Sequence, residues 1–274
     1  MTTWLITGCS TGLGRALAEA VAGAGHNVVA TARDQATVAG LAEGNDRVLA
    51  LGLDVTDPGQ VSSAVAEAEK AFGGVDVLVN NAGYGYRAAV EEGDDADVRR
   101  LFETHFFGSA GLIKAVLPGM RSRRSGVIVN VSSIGATRTP VGSGYYAAVK
   151  AAVEGMTGSL RGELEPLGIF AMVIEPGAFA TDFAGRSLTQ SQTVIDDYAQ
   201  TAGKRRKENA VSAPAKGDPA KAAQAIMRAV AAEKPPELLL LGSDALDTYR
   251  EVLHRRLDSA SEWEPLSRST DFDA

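Results

Sequence analysis

Tyr146-Ala-Ala-Val-Lys150 places a phenol and an amine four residues apart, hence side by side on one face if the segment is helical. Tyrosine, with an ordinary pKa of about 10, is a poor base near neutral pH, and a neighbouring ammonium stabilises its phenolate. Such a couple suits movement of a proton to or from an oxygen. The spacing alone is a weak signal, because the same pair also decorates ordinary surface helices. It gains weight from what precedes it: a strand-like run, Val127 to Val131, ends in two hydroxyls, Ser132 and Ser133.

A second candidate lies near the start of the chain. Thr7-Gly8-Cys9-Ser10-Thr11-Gly12-Leu13-Gly14 falls between an apolar strand-like segment and a helical one. In that position glycines permit unusual φ values and close approach of a pyrophosphate, while free N–H groups at the helix start stabilise its charge. No Gly-Lys-Ser/Thr follows, so the turn is not a Walker A loop.

The elements that would carry these groups repeat along the chain. Apolar runs at Trp4 to Thr7, Asn27 to Thr31, Val48 to Leu53, Val75 to Asn80, Val127 to Val131, Ile169 to Ile174 and Glu237 to Leu241 are each followed by a segment of helical character. Nearly continuous apolar strands alternating with helices predict an α/β fold, a doubly wound parallel Rossmann sheet of about seven strands covered on both faces. Asp57-Pro58 reads as an N-cap followed by an N1 proline, and Gly25 sits where the first helix should stop. One domain is expected over 1–274, with a substrate lid at about 177–218 and a C-terminal helix and tail at about 244–274.

Composition narrows the function. The 274 residues are 45% hydrophobic and 22% charged, with a formal net charge of −7. That balance argues against nucleic acid and anionic membranes as partners. Cys9 is the sole cysteine, and His26, His105 and His254 lack metal-ligand spacing, so neither a disulfide nor a metal site is expected. The chain opens without a basic n-region, and no stretch reaches the roughly 20 apolar residues of a membrane span; a cytoplasmic protein is expected. The acidic run Glu91, Glu92, Asp94, Asp95 and Asp97 reads as helix N-terminal charge. The basic run Lys204-Arg205-Arg206-Lys207 reads as a solvated face of the lid.

The Thr-Gly-x-x-x-Gly-x-Gly arrangement resembles the short-chain dehydrogenase/reductase family, in its compact single-domain branch. Asn80-Asn81-Ala82-Gly83 resembles that family's element at the end of the fourth strand, and Pro176-Gly177 with Thr181 its nicotinamide-side segment. The matches run in the family's order from Thr7 to Thr181. The resemblance implies a cofactor site formed by Gly8, Ser10, Thr11, Gly12, Leu13, Gly14, Arg33, Asp54, Val55, Asn81, Ala82, Gly83, Tyr146, Lys150, Pro176, Gly177 and Thr181. It also selects Ser133 over Ser132, since Ser133 lies 13 residues before Tyr146. Tyr146 would then exchange the proton, Ser133 hydrogen-bond the substrate oxygen, and Lys150 hold the nicotinamide ribose and tune Tyr146. The family's relay asparagine falls at His105, so the resemblance implies a modified relay there.

At the end of the second strand Ala32 stands where an NAD-preferring site places a carboxylate, and Arg33 follows. An arginine there suits a 2′-phosphate, with Ser10 or Thr31 adding hydrogen bonds, whereas Asp34 could pair with Arg33 and reverse the preference. NADP(H) is expected, with NAD(H) possible. The reaction implied is hydride transfer between nicotinamide and a ketone or secondary alcohol, by a homodimer or homotetramer acting on a small apolar carbonyl or alcohol. Tyr84, Tyr86, Phe179 and Phe183 are candidates for lining its pocket. A Rossmann protein that senses NADP(H) without turnover is the alternative from another class. A nucleotide-sugar epimerase is a third reading, but the glycine spacing and the lack of a large C-terminal domain count against it.

Overall fold

The computed structural model describes all residues except 182, 184, 186, 209–215 and 273–274. Seven strands form one parallel sheet: β1 (Thr3–Ile6), β2 (Asn27–Ala32), β3 (Val48–Gly52), β4 (Val77–Asn80), β6 (Gly126–Val131), β7 (Ile169–Pro176) and β9 (Leu238–Leu241). Their order is β3-β2-β1-β4-β6-β7-β9. These are the seven runs read from the sequence.

Side chains alternate across each strand, so an apolar strand feeds two cores. Trp4 and Ile6 of β1 join one cluster with Leu17, Ala18 and Val21 of α1 (Gly12–Gly23) and Ala222, Ala223 and Ile226 of α9 (Pro219–Val230). Leu5 points to the other face. There it meets Val61 and Val65 of α3 (Pro58–Phe72), Leu112 and Val116 of α5 (Gly108–Arg123), and Leu160 and Leu164 of α7 (Gly144–Leu164). The Asp57 carboxylate accepts from the N–H groups of Gly59 and Gln60, with Pro58 opening α3, as the sequence predicts. Gly25, at φ +83°, ends the turn after α1.

The direction of winding reverses between β1 and β4, which are neighbours in the sheet, and this opens a crevice at the strands' carboxyl ends. The glycine turn, the Asn80–Gly83 segment and Ser132–Ser133 all follow strands on that edge.

Three features were not legible in the sequence. A parallel pair, β5 (Gly85–Arg87) with β8 (Leu188–Gln190), ties the stretch after β7 to the loop after β4. Three residues per strand are too few to show an alternation. In the expected C-terminal helix and tail, α10 runs over Ser243–Glu262 and a second helix, α11 (Glu264–Arg268), follows.

The third concerns the acidic and basic runs. Asp94 does cap α4 (Asp95–Phe102), accepting from the Asp97 N–H. Glu92, however, is 1% exposed. Its carboxylate accepts from the N–H groups of Ala89 and Ile195 at 2.9 Å each and from the Arg206 guanidinium at 2.6 Å. Arg206 belongs to α8 (Ala202–Glu208), so one residue of the run read as a solvated face is instead a partly buried fastener.

Candidate active site

Two left-handed glycines shape the first turn: Gly8 at φ +72° and Gly12 at φ +61°, a region that L side chains enter with strain. A Cβ on Gly14 would stand 2.5 Å from the Gly8 carbonyl oxygen. Thr11 stands at the N-cap of α1 without a side-chain cap, so the first N–H groups of α1 remain available to an anion. The neighbouring segment holds the turn in shape. Thr7 Oγ1 accepts from the N–H groups of Asn81 (3.0 Å) and Ala82 (2.9 Å), and Asn81 Nδ2 donates to the Thr7 and Gly8 carbonyls at 2.8 and 3.2 Å.

A Cβ on Gly12 would meet Thr181 at 3.3 Å, so the stretch after β7 passes over the turn. The start of that stretch is clasped from afar: Asp244 of α10 accepts from the Ala178 N–H at 2.7 Å, beside Pro176 and Gly177. Together the paired glycines, uncapped helix and overlying Thr181 fit a dinucleotide pyrophosphate. Cys9 within the turn is a core thiol; burial pushes it up to about 12, and its Sγ donates to the Ile6 carbonyl.

Arg33 is exposed just past β2 and makes no ion pair among the described residues. Asp34 forms no ion pair with it; one Asp34 oxygen accepts from the Ala36 N–H at 3.0 Å. Thr31 proves unsuited to a phosphate contact: it is buried, and its hydroxyl donates to the Ile6 carbonyl at 3.2 Å. Ser10 remains half-buried at the turn, and Leu13 packs its side chain on the core. Asp54 accepts from the Thr56 N–H and hydroxyl at 2.9 and 2.8 Å, and the side chain of Val55 packs against Gly108.

The candidate reacting groups converge at the ends of β4 and β6. Asn80 Nδ2 donates to Asn130 Oδ1 and Asn130 Nδ2 to Thr157 Oγ1, both at 2.8 Å, which locks the two strands to α7. Ser133 caps α6 (Ile134–Arg138) through the Gly135 N–H at 3.0 Å, and its hydroxyl lies near enough to the Tyr146 phenol to draw its pKa down. Lys150 is 5% exposed, donates from Nζ to the Val131 carbonyl at 2.7 Å, and lies 5.8 Å from the centre of the Tyr146 ring.

The electrostatics differ from the sequence expectation. Burial pushes Tyr146 up to about 12, only partly opposed by the Ser133 hydroxyl, and burial pushes Lys150 down to about 7 against the pull of Glu154. Without bound cofactor, desolvation therefore outweighs any help from Lys150, and the phenol is held as an acid.

His105 lies in a π-helical turn, Glu103–Phe107, that links α4 to α5. The ring is 2% exposed and meets Tyr146 edge-on at 5.9 Å between centroids. Nε2 lies 2.8 Å from the Tyr84 carbonyl oxygen and 3.1 Å from its N–H, whereas Nδ1 has no partner among the described residues. Burial and the Lys150 charge hold the imidazole well below its ordinary pKa, hence neutral. A Cβ on Gly83 would stand 2.7 Å from Nδ1, so glycine is required beside this ring.

Of the four aromatic candidates, Tyr84 and Phe183 flank the site; Phe183 stands 5.9 Å from Tyr146. Tyr86 is fully buried with its hydroxyl on the Asp94 N–H, and Phe179 packs on the core beneath Gly217. Sequence reasoning missed Asp244, Glu154 and Glu175. Glu154, four residues beyond Lys150, was the one within reach of the spacing argument.

The short chain dehydrogenase family model matches residues 2–192. The chain is a short-chain dehydrogenase/reductase. Like other family members it is an NAD(P)-dependent oxidoreductase acting on CH–OH groups. It is 38% identical to "Oxidoreductase BOA17" of Botryotinia fuckeliana over 96% of this chain and 97% of that one. It is 37% identical to a 3-ketodihydrosphingosine reductase of Bacteroides thetaiotaomicron, over 72% and 71% of the two chains. A solved short-chain dehydrogenase from Streptomyces avermitilis superposes with a TM-score of 0.92 at 42% identity, covering 99% of this chain and all of that one. Two dehydrogenase/reductase structures at 25% identity, with TM-scores of 0.78 and 0.75, hold NAD and NADP+ respectively. Among the described residues no helix is long and apolar enough to cross a membrane, and no cluster suited to a metal ion occurs.

Proposed function

We propose that the chain is an NADP(H)-dependent reductase of small, moderately apolar ketones, or a dehydrogenase of the matching secondary alcohols. The observation that carries this reading is the convergence of Ser133, Tyr146 and Lys150 beside the glycine turn. When bound, the nicotinamide supplies or accepts the hydride. In the reducing direction the Tyr146 O–H donates its proton to the forming alkoxide, and the Ser133 hydroxyl hydrogen-bonds the same oxygen. Lys150 holds the nicotinamide ribose and, as an ammonium, stabilises the phenolate left behind. Gly8, Ser10, Thr11, Gly12, Leu13 and Gly14 cradle the pyrophosphate, with Asp54, Val55, Asn81, Ala82, Gly83, Pro176, Gly177 and Thr181 around the rest of the cofactor. The fold works as one domain whose 177–218 stretch forms a lid, in a cytoplasmic homo-oligomer.

The unpartnered Nδ1 of His105 is suited to hold a water in place of the family's asparagine amide. His105→Asn should keep kcat within a few fold, whereas His105→Phe should lower it about 10²-fold, the low end for a positioned proton-transfer group. Equal losses in both variants, measured by steady-state kinetics, would show that the imidazole serves packing instead.

Preference for the 2′-phosphate follows from Arg33, whose neighbour Asp34 is occupied with α2 (Ala36–Ala39). A charge-assisted hydrogen bond is worth about 1.5–3 kcal/mol, so Arg33→Ala should weaken NADPH binding roughly 10- to 150-fold and leave NADH unchanged. Fluorescence titration with both cofactors checks this. The function as a whole is tested by a screen of ketones and aldehydes for oxidation of NADPH and NADH. Tight cofactor binding with no turnover of any carbonyl would replace this reading with a cofactor-sensing one.

A further inference from the structure

Beside Lys150, two acids line one cavity. Glu154 follows Lys150 by one turn of α7, and Glu175 lies in β7 with 1% exposure. Their carboxyl groups border that cavity and lie near enough to perturb each other. Ser132 donates to Glu154 Oε1, and the Thr137 hydroxyl lies 3.3 and 3.2 Å from the two carboxyl oxygens of Glu175. Neither carboxyl forms an ion pair among the described residues, and two negative charges at one cavity wall repel, which favours a proton on one of the two.

Further charged and titratable groups face the pair from each element around it, among the described residues. They are Lys150 and Arg161 from α7, Tyr249 and Arg256 from α10, and Glu237 ahead of β9. The arginines are partly committed elsewhere. Arg161 donates to the Ala171 and Pro235 carbonyls at 3.0 and 3.2 Å, and Arg256 donates to the Thr137 carbonyl at 3.4 Å. A cavity of about 220 Å³ borders the acids, with Thr137, Tyr249 and Arg256 in its wall, and gives them a route for proton exchange with water. Burial and mutual repulsion push Glu175 up to about 8, which makes it the member that keeps the proton; Glu154 is raised by burial less decisively and is drawn down by Lys150.

We propose that Glu175 and Glu154 form a carboxylic acid–carboxylate pair whose single negative charge, held on Glu154, keeps Lys150 an ammonium and so sets the alkaline limit of turnover. Both are positioning residues: they act on Tyr146 only through Lys150. The inference rests on the role given to Lys150 above. Its sign follows from the charges. Removing the negative charge lets Lys150 lose its proton at lower pH, and the alkaline limb of the kcat/KM profile moves down.

The test is that profile for Glu154→Gln, Glu175→Gln and the double variant, each checked for folding by thermal melting. Glu175→Gln leaves the charge on Glu154 and should barely move the limb. Glu154→Gln transfers the charge to the more distant Glu175 and should move it slightly. The double variant removes it altogether and should lower the limb by about one pH unit, more than the two single shifts combined. An unmoved limb in a folded double variant would overturn the proposal. Infrared spectroscopy of the full wild-type chain gives a second readout independent of turnover. A protonated carboxyl stretch should persist at neutral pH and vanish in Glu175→Gln, and its absence from the wild type would overturn the pair itself. If no carbonyl substrate were turned over, the function proposed above would fall, while the infrared band would still decide whether the pair exists.

Discussion

Tyr146→Phe is expected to lower kcat by about 10²- to 10⁴-fold, the range that a positioned proton-transfer group supplies. The substitution deletes one oxygen and leaves the ring. Its edge contact with His105 and its packing against Phe183, each at 5.9 Å, survive, so the melting temperature should change little. NADPH affinity should stay within a few fold, because the side chain that acts on the phenol in the structure is Ser133. Single-turnover kinetics beside a binding titration separate these effects. Retention of kcat within tenfold would assign the proton to another group.

The second large effect lies away from the chemistry. Glu92→Ala removes the carboxylate that Arg206 and the N–H groups of Ala89 and Ile195 all address, and leaves a guanidinium that is only 11% exposed without its partner. Breaking a buried pair from one side costs about 3–5 kcal/mol. We expect a loss of that order in denaturant melts, with proteolysis beginning between β8 and α8, the stretch that this carboxylate fastens. The pair also gives the fold an acid sensitivity. Its hydrogen bonds and Arg206 hold the Glu92 carboxyl below its ordinary range despite burial. The stabilisation is therefore complete above the unfolded-state value and is lost as pH falls through the depressed one. A melt insensitive to Glu92→Ala would mean that the β5–β8 pairing and contacts such as the Tyr198 hydroxyl on Glu91 suffice to hold the stretch.

What could be read from the sequence was what repeats or keeps a fixed spacing. The seven sheet strands were legible because each is an unbroken apolar run buried on both faces, and Asp57-Pro58 because capping is local. Tyr146 and Lys150 were legible because helical spacing puts them together before any fold is known. Contacts between distant segments were not. Glu92 meets Arg206 across 114 positions, and Glu154 meets Glu175 only because α7 packs beside β7. Nothing in a charge run distinguishes its one buried member from its solvated neighbours. The phenol's acidity was misjudged for the same reason: spacing reveals the ammonium, whereas desolvation depends on what the fold stacks above the ring.

The Asp244 clasp makes the last third of the chain answerable for the first two thirds. The carboxylate that steadies Ala178, beside Pro176 and Gly177, comes from the opening turn of a helix 66 positions later. A chain emerging from the ribosome would have its glycine cradle, its phenol and its lysine long before this brace arrives. Its rim gains this brace only once the first turn of α10 has been made.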